Sequence, residues 1–592
     1  MPLQSELDAK PTPSPPPGGE GGGFRSISPE FREGVALLLL SVGVWLCARG
    51  ILVPRLIVAH DALEYLPRQV EFHENISAGI LLPRWAPDLG NGHGYPFFLY
   101  NPPFFYYVAE GFHLAGLPFV ASIHAAAAFL LLLSAASMYA WARAHWGCFG
   151  GMISAIAYLF APYFLVVLYV RASFSDFAVF FWLPITFLCV ERSLRPKGRR
   201  AWIVGLALST AGVILSSNPV ALFFLPVLAL YPFAYGWRRA FPWPPLSGIV
   251  LGVALAGWFW IPALFGKSLI HIDRLLVGYL HYGNHFVHPA QFLRGMWGYG
   301  LSLPGVEDGF SFEVGWPQLG AVAFWSLVRL RRRWPPSVGY ALFVVAFGLF
   351  FASTLSRPIW DRLPLLQYVE FPWRTLTLVV FAAAFLTGGC VTRLPAGAPR
   401  FLGGGGLLLL LLLIGVPRAR PQGYHSVVEA NYRPAEIARR GIAVTTRREY
   451  EPRRVKVLAP PSPALLAVER GGVSRLRSER ASPERIVAWV ESRSEATLRL
   501  ALHGFPGWRI VLDGKPLSWR YIPPYGLMRF EVPPGVHQVT IRFGNTPLRA
   551  IASLLSLLAL LGLVALLALE ISPHLRERPP RPEMAGERSI ER

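Results

Sequence analysis

Cysteine is scarce in this chain. The four present among 592 residues (Cys47, Cys148, Cys189 and Cys390) lie within or beside apolar stretches, with no CxxC pair and none in the polar region near the C-terminus. That excludes a disulfide framework and a cysteine-based zinc site. Charge is thin as well: 15% of residues are Asp, Glu, Lys or Arg, against 53% hydrophobic and 14% aromatic. Such a composition excludes a disordered or fibrous chain and argues against a soluble enzyme. Acidic residues are few, 35 against 56 Lys and Arg, for a net charge of +21. Taken alone, that excess suggests a nucleic-acid partner, so its position has to be found first.

What is present is a series of apolar runs near the roughly 20 residues that a bilayer requires, separated by polar punctuation. Residues 1–33, with Pro-Ser-Pro-Pro-Pro and Gly-Gly-Gly-Phe, cannot bury a core and read as a disordered cytoplasmic tail. A first span is expected over about 34–53, as an uncleaved anchor. Phe104 to Phe119 is aromatic but short, and it carries Glu110 and His113. Read as an interfacial helix, it leaves further spans near 121–142, 149–169, 176–191, 201–216, 218–236, 245–266, 314–328, 338–355, 375–392, 401–416 and 549–570. Arg143, the 192–200 cluster, Arg238, Arg239, Arg329, Arg331–Arg333, Arg393 and Arg400 then all fall in inner loops. Counting 104–119 as a span would place these clusters outside, against the positive-inside rule. The expected fold class is therefore a polytopic α-helical membrane protein of about twelve spans, both termini cytoplasmic. Much of the net charge becomes a topology signal, and the nucleic-acid reading recedes.

The same arithmetic puts 54–103, the turns at 171–176 and 216–219, and the segments 267–313, 356–374 and 417–548 on the outer side. The last is the one extramembrane domain. Arg485 to Ser492 and Ala496 to Leu502 alternate apolar and polar residues, Trp508 to Leu512 precedes the turn dipeptide Asp513-Gly514, and Pro533-Pro534-Gly535 separates Leu527–Val532 from Gln538–Phe543. This pattern predicts a small antiparallel β-sandwich. A short helix is expected near Pro434. A basic cytoplasmic tail follows the last span, over 572–592.

Ionisable residues are nearly absent inside the expected spans, Arg49 excepted, which argues against an ion-coupled transporter. They gather at the outer ends instead. His60-Asp61-Ala62-Leu63-Glu64-Tyr65 opens the first outer loop. A carboxylate held there can take a proton from a sugar hydroxyl while nearby arginine stabilises a departing lipid phosphate. The plainer alternative is that Asp61 and Glu64 cap a juxtamembrane helix. The glycines of Asp88-Leu89-Gly90-Asn91-Gly92-His93-Gly94 follow no strand and precede no Lys-Ser/Thr, so they form no nucleotide loop. His281, His285 and His288 would share a face if helical, but Gly283-Asn284 opposes a helix and no cysteine or paired acid accompanies them. Carbohydrate contacts or surface histidines are read there, and no metal.

The anchor, the acidic motif, the Gly-Pro turn and the aromatic run Tyr100-Asn101-Pro102-Pro103-Phe104-Phe105-Tyr106-Tyr107, followed by many spans, resemble the GT-C membrane glycosyltransferases. A closer likeness is to bacterial membrane proteins labelled 6-pyruvoyl-tetrahydropterin-synthase-related, and in the C-terminal domain to YfhO-like proteins. The segments carrying it are Arg171-Ala172-Ser173-Phe174-Ser175-Asp176, Trp258-Phe259-Trp260-Ile261-Pro262-Ala263-Leu264, Glu370-Phe371-Pro372-Trp373-Arg374, Pro506-Gly507-Trp508-Arg509 with Asp513-Gly514-Lys515, and Pro533-Pro534-Gly535-Val536-His537.

The resemblance implies transfer of a sugar from a polyprenyl-phosphate donor to an envelope glycan, lipid or protein acceptor, with inversion, on the outer face of a bacterial cell membrane. It makes Asp61 the general base, with His60 and Glu64 placing it or binding acceptor. Arg374 and Arg171 become partners of the donor phosphate, while Asp176, Arg84, Asn218 and Glu370 complete the substrate-binding set. For the two arginines, an interfacial snorkelling role stands beside that one. Two departures are Ser217-Asn218 where the family often has His-Asn, and Lys267 where an acid is frequent. No motif requires a cofactor; a divalent cation is left open. An envelope lipid or polysaccharide flippase, and a membrane-held glycan-binding scaffold, are the rival functions.

Overall fold

A computed structural model describes residues 28–236, 241–328, 335–442, 444–445 and 447–576. Residues 1–27 and 577–592 of the two expected tails, and the inner-loop arginines 238, 239, 329 and 331–333, lie outside the described residues. Helix begins earlier than expected. Pro29 sits at the first helical position and Ser28 accepts the N–H of Phe31 at 3.2 Å, so residues 29–33 belong to the helix Pro29–Ala48 and not to the tail. At the other end the last helix, Pro547–Arg576, runs into the segment expected to be tail.

Among the described residues, seven helices are long and apolar enough to cross a bilayer: Pro29–Ala48, Phe119–Leu159, Phe174–Ser193, Asn218–Tyr235, Pro372–Val391, Ala398–Gly415 and Pro547–Ile571. Trp243–Leu255 and Gly257–Phe265, bent by 65°, make an eighth if counted together. The expectation of about twelve is met by helix at every position but not by this length criterion. Two expected spans share the 41-residue helix Phe119–Leu159, broken where Gly147 takes φ 70°. Arg199–Ser216 opens on two arginines, and Trp316–Val328 and Pro336–Ala352 are short. The 104–119 block is an 11-residue helix, Phe104–Leu114, about 16 Å long and too short to cross. Its Glu110 is buried against Gln69 and His73, at 3.0 and 2.8 Å.

Helices Phe119–Leu159 and Leu376–Val391 cross where Gly388 meets Gly150; a methyl at Gly388 would stand 2.0 Å from the Gly150 carbonyl oxygen. Small residues let the two backbones touch there. At the 65° bend, Ser556 of the last helix donates to the Ala254 carbonyl (2.9 Å) and accepts the Trp258 N–H (2.9 Å). A broken helix in lipid needs such partners for its freed backbone groups.

The C-terminal domain is a sandwich of antiparallel strands. Apart from the short pair β1 (Leu56–Ile57) and β2 (Tyr424–His425), the strands are β3 (Leu466–Arg470), β4 (Val473–Ser482), β5 (Arg485–Ser492), β6 (Ala496–His503), β7 (Trp508–Leu512), β8 (Lys515–Leu517), β9 (Arg520–Ile522), β10 (Leu527–Val532) and β11 (Gly535–Phe543). They form sheets of order β3-β6-β10-β9 and β4-β5-β11-β7-β8. Leu498, Leu500, Ile486, Val490, Ile510, Phe530 and Ile541 fill the space between the sheets. Trp85 of the first long loop enters one end of this core, edge-on to Trp508 at 5.3 Å. Gly94, at φ 82°, leaves room for that indole, which a methyl would overlap at 2.3 Å.

Ion pairs Arg480–Asp88 (2.6 Å) and Arg84–Glu484 (3.3 Å) fix the same loop to the sandwich. The stretch between the helices and β3 is not part of the sandwich. It lies on the helical body, with Ile57 paired to Tyr424, Arg418 to Glu313 at 2.9 Å, and Glu429 accepting the N–H groups of Phe119 and Val120. The short helix expected near Pro434 is Pro434–Arg440.

Candidate active site

Segments that the charge pattern assigns to one side converge on a cavity of about 710 Å³. The first is the helix Ala62–Ser77, preceded by His60 and Asp61. Its entry is fixed by an unusual neighbour. Val166–Arg171 is π-helical and ends with Ala172 in the left-handed region (φ 49°). Its last carbonyls are left available, and Val170 and Arg171 receive the N–H groups of His60 (3.1 Å) and Asp61 (2.9 Å). Single π turns of this kind recur at functional sites. Asp61 stands at the helix N-cap position, yet its side chain makes no capping hydrogen bond. The capping explanation of Asp61 therefore lacks its defining contact.

Five carboxylates line the cavity: Asp61, Glu64, Asp176, Glu370 and Glu449. Four are engaged. Glu64 pairs with Arg68. Asp176 accepts Arg171 Nη2 at 3.0 Å and Ser217 Oγ at 2.6 Å, and Arg374 Nε stands 3.4 Å away. Glu370 pairs with Arg374 at 3.2 Å, and Glu449 accepts the Arg447 N–H at 3.3 Å. Asp61 alone has neither a side-chain hydrogen bond nor an ion pair among the described residues. Its neighbour His60 donates Nε2–H to the Tyr299 carbonyl (3.2 Å), since a carbonyl can only accept. Burial lowers the His60 pKa, which favours the neutral ring.

Burial pushes Glu64 up to about 7 against the pull of Arg68, and Glu370 up to about 7 against Arg374. Glu370 also holds φ 65°, a left-handed conformation that costs a non-glycine residue about 1–2 kcal/mol. The cations are Arg68, Arg171, Arg374 and Lys267. Arg171 is 5% exposed, lies over the Trp373 ring at 4.8 Å and keeps Nη1 without a partner. That burial and that ring contact distinguish it from a snorkelling arginine. Lys267 lies over Tyr368 at 4.8 Å and has no ion pair among the described residues. An apolar wall adjoins the polar end, formed by Ile214, Leu222, Leu225, Val253, Trp260 and Leu264.

Eight of the nine residues singled out in the sequence line this cavity: His60, Asp61, Glu64, Arg171, Asp176, Asn218, Glu370 and Arg374. Asn218 donates to the Tyr100 carbonyl at 3.1 Å. Arg84 is not brought there; it ties the first loop to Glu484 of the sandwich. The histidines of 281–288 do not share a helical face. His285 is buried on Ser302 at 3.0 Å, its pKa lowered to about 4 by burial, and His288 stands at the N-cap position of the helix Pro289–Leu293, its backbone N–H donated to Gln291 Oε1 at 2.7 Å. Among the described residues no three His, Cys, Asp or Glu are grouped to hold a metal ion.

Sequence reasoning noted Lys267 only as a departure from the family pattern, and missed Arg68, Thr445, Glu449 and Tyr450. The last three arrive from the irregular stretch after Gly441, and no periodicity marks them. Arg68 was findable four residues after Glu64 on one helix face.

No family model matches the chain, and no curated protein matches it. Solved structures do. One is ArnT from Cupriavidus metallidurans bound to undecaprenyl phosphate, 16% identical over 69% of this chain and 77% of that one, TM-score 0.42. Another is arabinofuranosyltransferase AftD from Mycobacteria, 17% identical over 68% of this chain and 28% of that one, TM-score 0.43. A third is the archaeal oligosaccharyltransferase AglB from Archaeoglobus fulgidus in complex with an inhibitory peptide and a dolichol-phosphate, 13% identical over 67% of this chain and 57% of that one, TM-score 0.39.

Proposed function

We propose that the chain is an integral membrane glycosyltransferase of GT-C type, transferring a sugar from a polyprenyl-phosphate donor to an envelope acceptor with inversion. One observation carries this reading: an unpaired carboxylate, Asp61, and an incompletely paired guanidinium, Arg171, face one cavity whose other wall is apolar. In the step we propose, Asp61 takes the proton of an acceptor hydroxyl as that oxygen bonds to the anomeric carbon. The bond from that carbon to the phosphate oxygen breaks, and the lipid phosphate leaves with the electron pair. Arg171, Arg374 and Lys267 compensate the charge that develops on it. Asp176 places both arginines, and the apolar wall receives the first isoprene units.

The proposed donor belongs to the same chemical class as the undecaprenyl phosphate and dolichol-phosphate bound in two of the compared structures. The finer likeness to the 6-pyruvoyl-tetrahydropterin-synthase-related and YfhO-like proteins rests on motif order. The placement we propose is a bacterial inner membrane, termini in the cytosol and the cavity outside, supported by the positions of the basic loops.

The test follows sugar transfer in membranes carrying Asp61→Asn and Asp61→Ala. Loss of product at unchanged expression supports the base assignment; full activity rejects it. Mass spectrometry of envelope glycolipids, polysaccharide and glycoproteins, with and without the chain, identifies sugar and acceptor. An unchanged inventory, together with movement of an unmodified lipid, would move the reading to a flippase.

A further inference from the structure

The outer face of the five-stranded sheet carries a row of three arginines. Register sets Arg542 of β11 opposite Arg485 of β5 on one side and opposite Arg509 of β7 on the other. All three are exposed, and none forms an ion pair among the described residues. Glu484, beside this row, is already engaged by Arg84 at 3.3 Å. Like charges directly opposite across strands cost stability. The other sheet has a similar row, Arg499, Arg529 and Arg520, but there Glu469 stands 2.6 Å from Arg529.

Position distinguishes the two rows further. β11 ends at Phe543 and the last membrane-crossing helix starts at Pro547, at most about 14 Å of extended chain later. Arg509 Nη2 donates to the carbonyl of Asn545 at 3.3 Å, two residues before that helix. The unneutralised row therefore borders the point at which the chain enters the bilayer. Guanidinium matches phosphate oxygens with two parallel hydrogen bonds, and basic groups at a membrane surface are attracted to anionic lipid.

We propose that Arg485, Arg509 and Arg542 form a binding site for the phosphates of anionic phospholipid head groups, in the leaflet where the helix starting at Pro547 begins. The site orients the sandwich on the bilayer and does not depend on the sugar chemistry proposed above. The full chain is reconstituted in nanodiscs of phosphatidylcholine alone or with phosphatidylglycerol, and lipid retention is read by native mass spectrometry. The variant R485Q/R509Q/R542Q is compared with R499Q/R520Q/R529Q, which carries the same charge change on the far sheet.

The first variant should retain roughly tenfold less phosphatidylglycerol than wild type, the second should match wild type, and raising the salt should narrow the gap. Equal retention by both variants overturns the site. So does retention of a soluble polygalacturonate oligosaccharide by wild type, and not by the first variant, in phosphatidylcholine discs without any phosphatidylglycerol effect, which would make the row a glycan surface. Circular dichroism of each variant separates loss of binding from loss of fold.

Discussion

The sandwich and the cavity both contain backbone outside the usual regions, but for different reasons. In the sandwich, Asp513 has φ 45° and is followed by Gly514 at 83°, the conformation an Asp-Gly hairpin turn requires. At the cavity it is Ala172 and Glu370 that sit at 49° and 65°, residues with no such preference. Electrostatics separate the two regions more clearly than pairing does. The sandwich ladders contain register shifts and its core leaves Trp508 Nε1 and His503 Nε2 without partners, whereas the cavity leaves a charged atom, Arg171 Nη1, without one and pushes two carboxyls up to about 7. Local rules suffice to build the first region. The second is held by the rest of the molecule, which is where strain and imperfect pairing are expected when they serve a reaction.

Variants can sharpen that division. The largest effect is expected on chemistry. Asp61→Asn should lower transfer by about 10²–10⁴-fold while the melting temperature holds; a matching fall in stability would make Asp61 structural. Trp508→Ala, in the sandwich core, should do the reverse. It should cost about 3–5 kcal/mol of stability in a thermal unfolding assay, with residual folded protein still using donor normally.

Glu370→Gln probes the raised carboxyls of the cavity. A carboxyl raised from its ordinary 4.5 to about 7 binds its proton more tightly when folded. Its stabilising contribution is thus complete below pH 4.5 and lost as pH rises through 7. Wild-type melting temperature should fall across that window, and the permanently neutral glutamine should flatten the dependence. The smallest effect is expected from Ser556→Ala, about 1–2 kcal/mol from the freed groups at the bend. It should also raise the donor KM, because Trp260, Leu264 and Lys267 beyond the bend line the cavity. A pure loss of stability would confine Ser556 to packing.

What could be read from the sequence follows the same division. β5, β7 and β10 have the limits that alternation and turn residues predict, because a half-buried strand writes its pairing into a two-residue period. β3 and β4 escaped notice: on the inward face of Val473–Ser482, Leu476 is followed by Ser478 and Arg480, which breaks the apolar alternation. Helix positions were legible from apolar runs, but the join of two spans at Gly147 was not, since one glycine in the left-handed region carries no hydropathy signal. His60, Asp61 and Arg171 stood out as polar groups at span ends. Glu449 and Tyr450 did not, because their place depends on contacts far away along the chain.

Those contacts impose an order of assembly. Thr445, Glu449 and Tyr450 close a chamber whose floor, Asp61 and Arg171, is laid down several hundred residues earlier. A nascent chain that has inserted every helix through Gly415 therefore still presents an open basin, and its polar groups acquire their final surroundings only when the closing stretch has folded back and β2 has zipped onto β1.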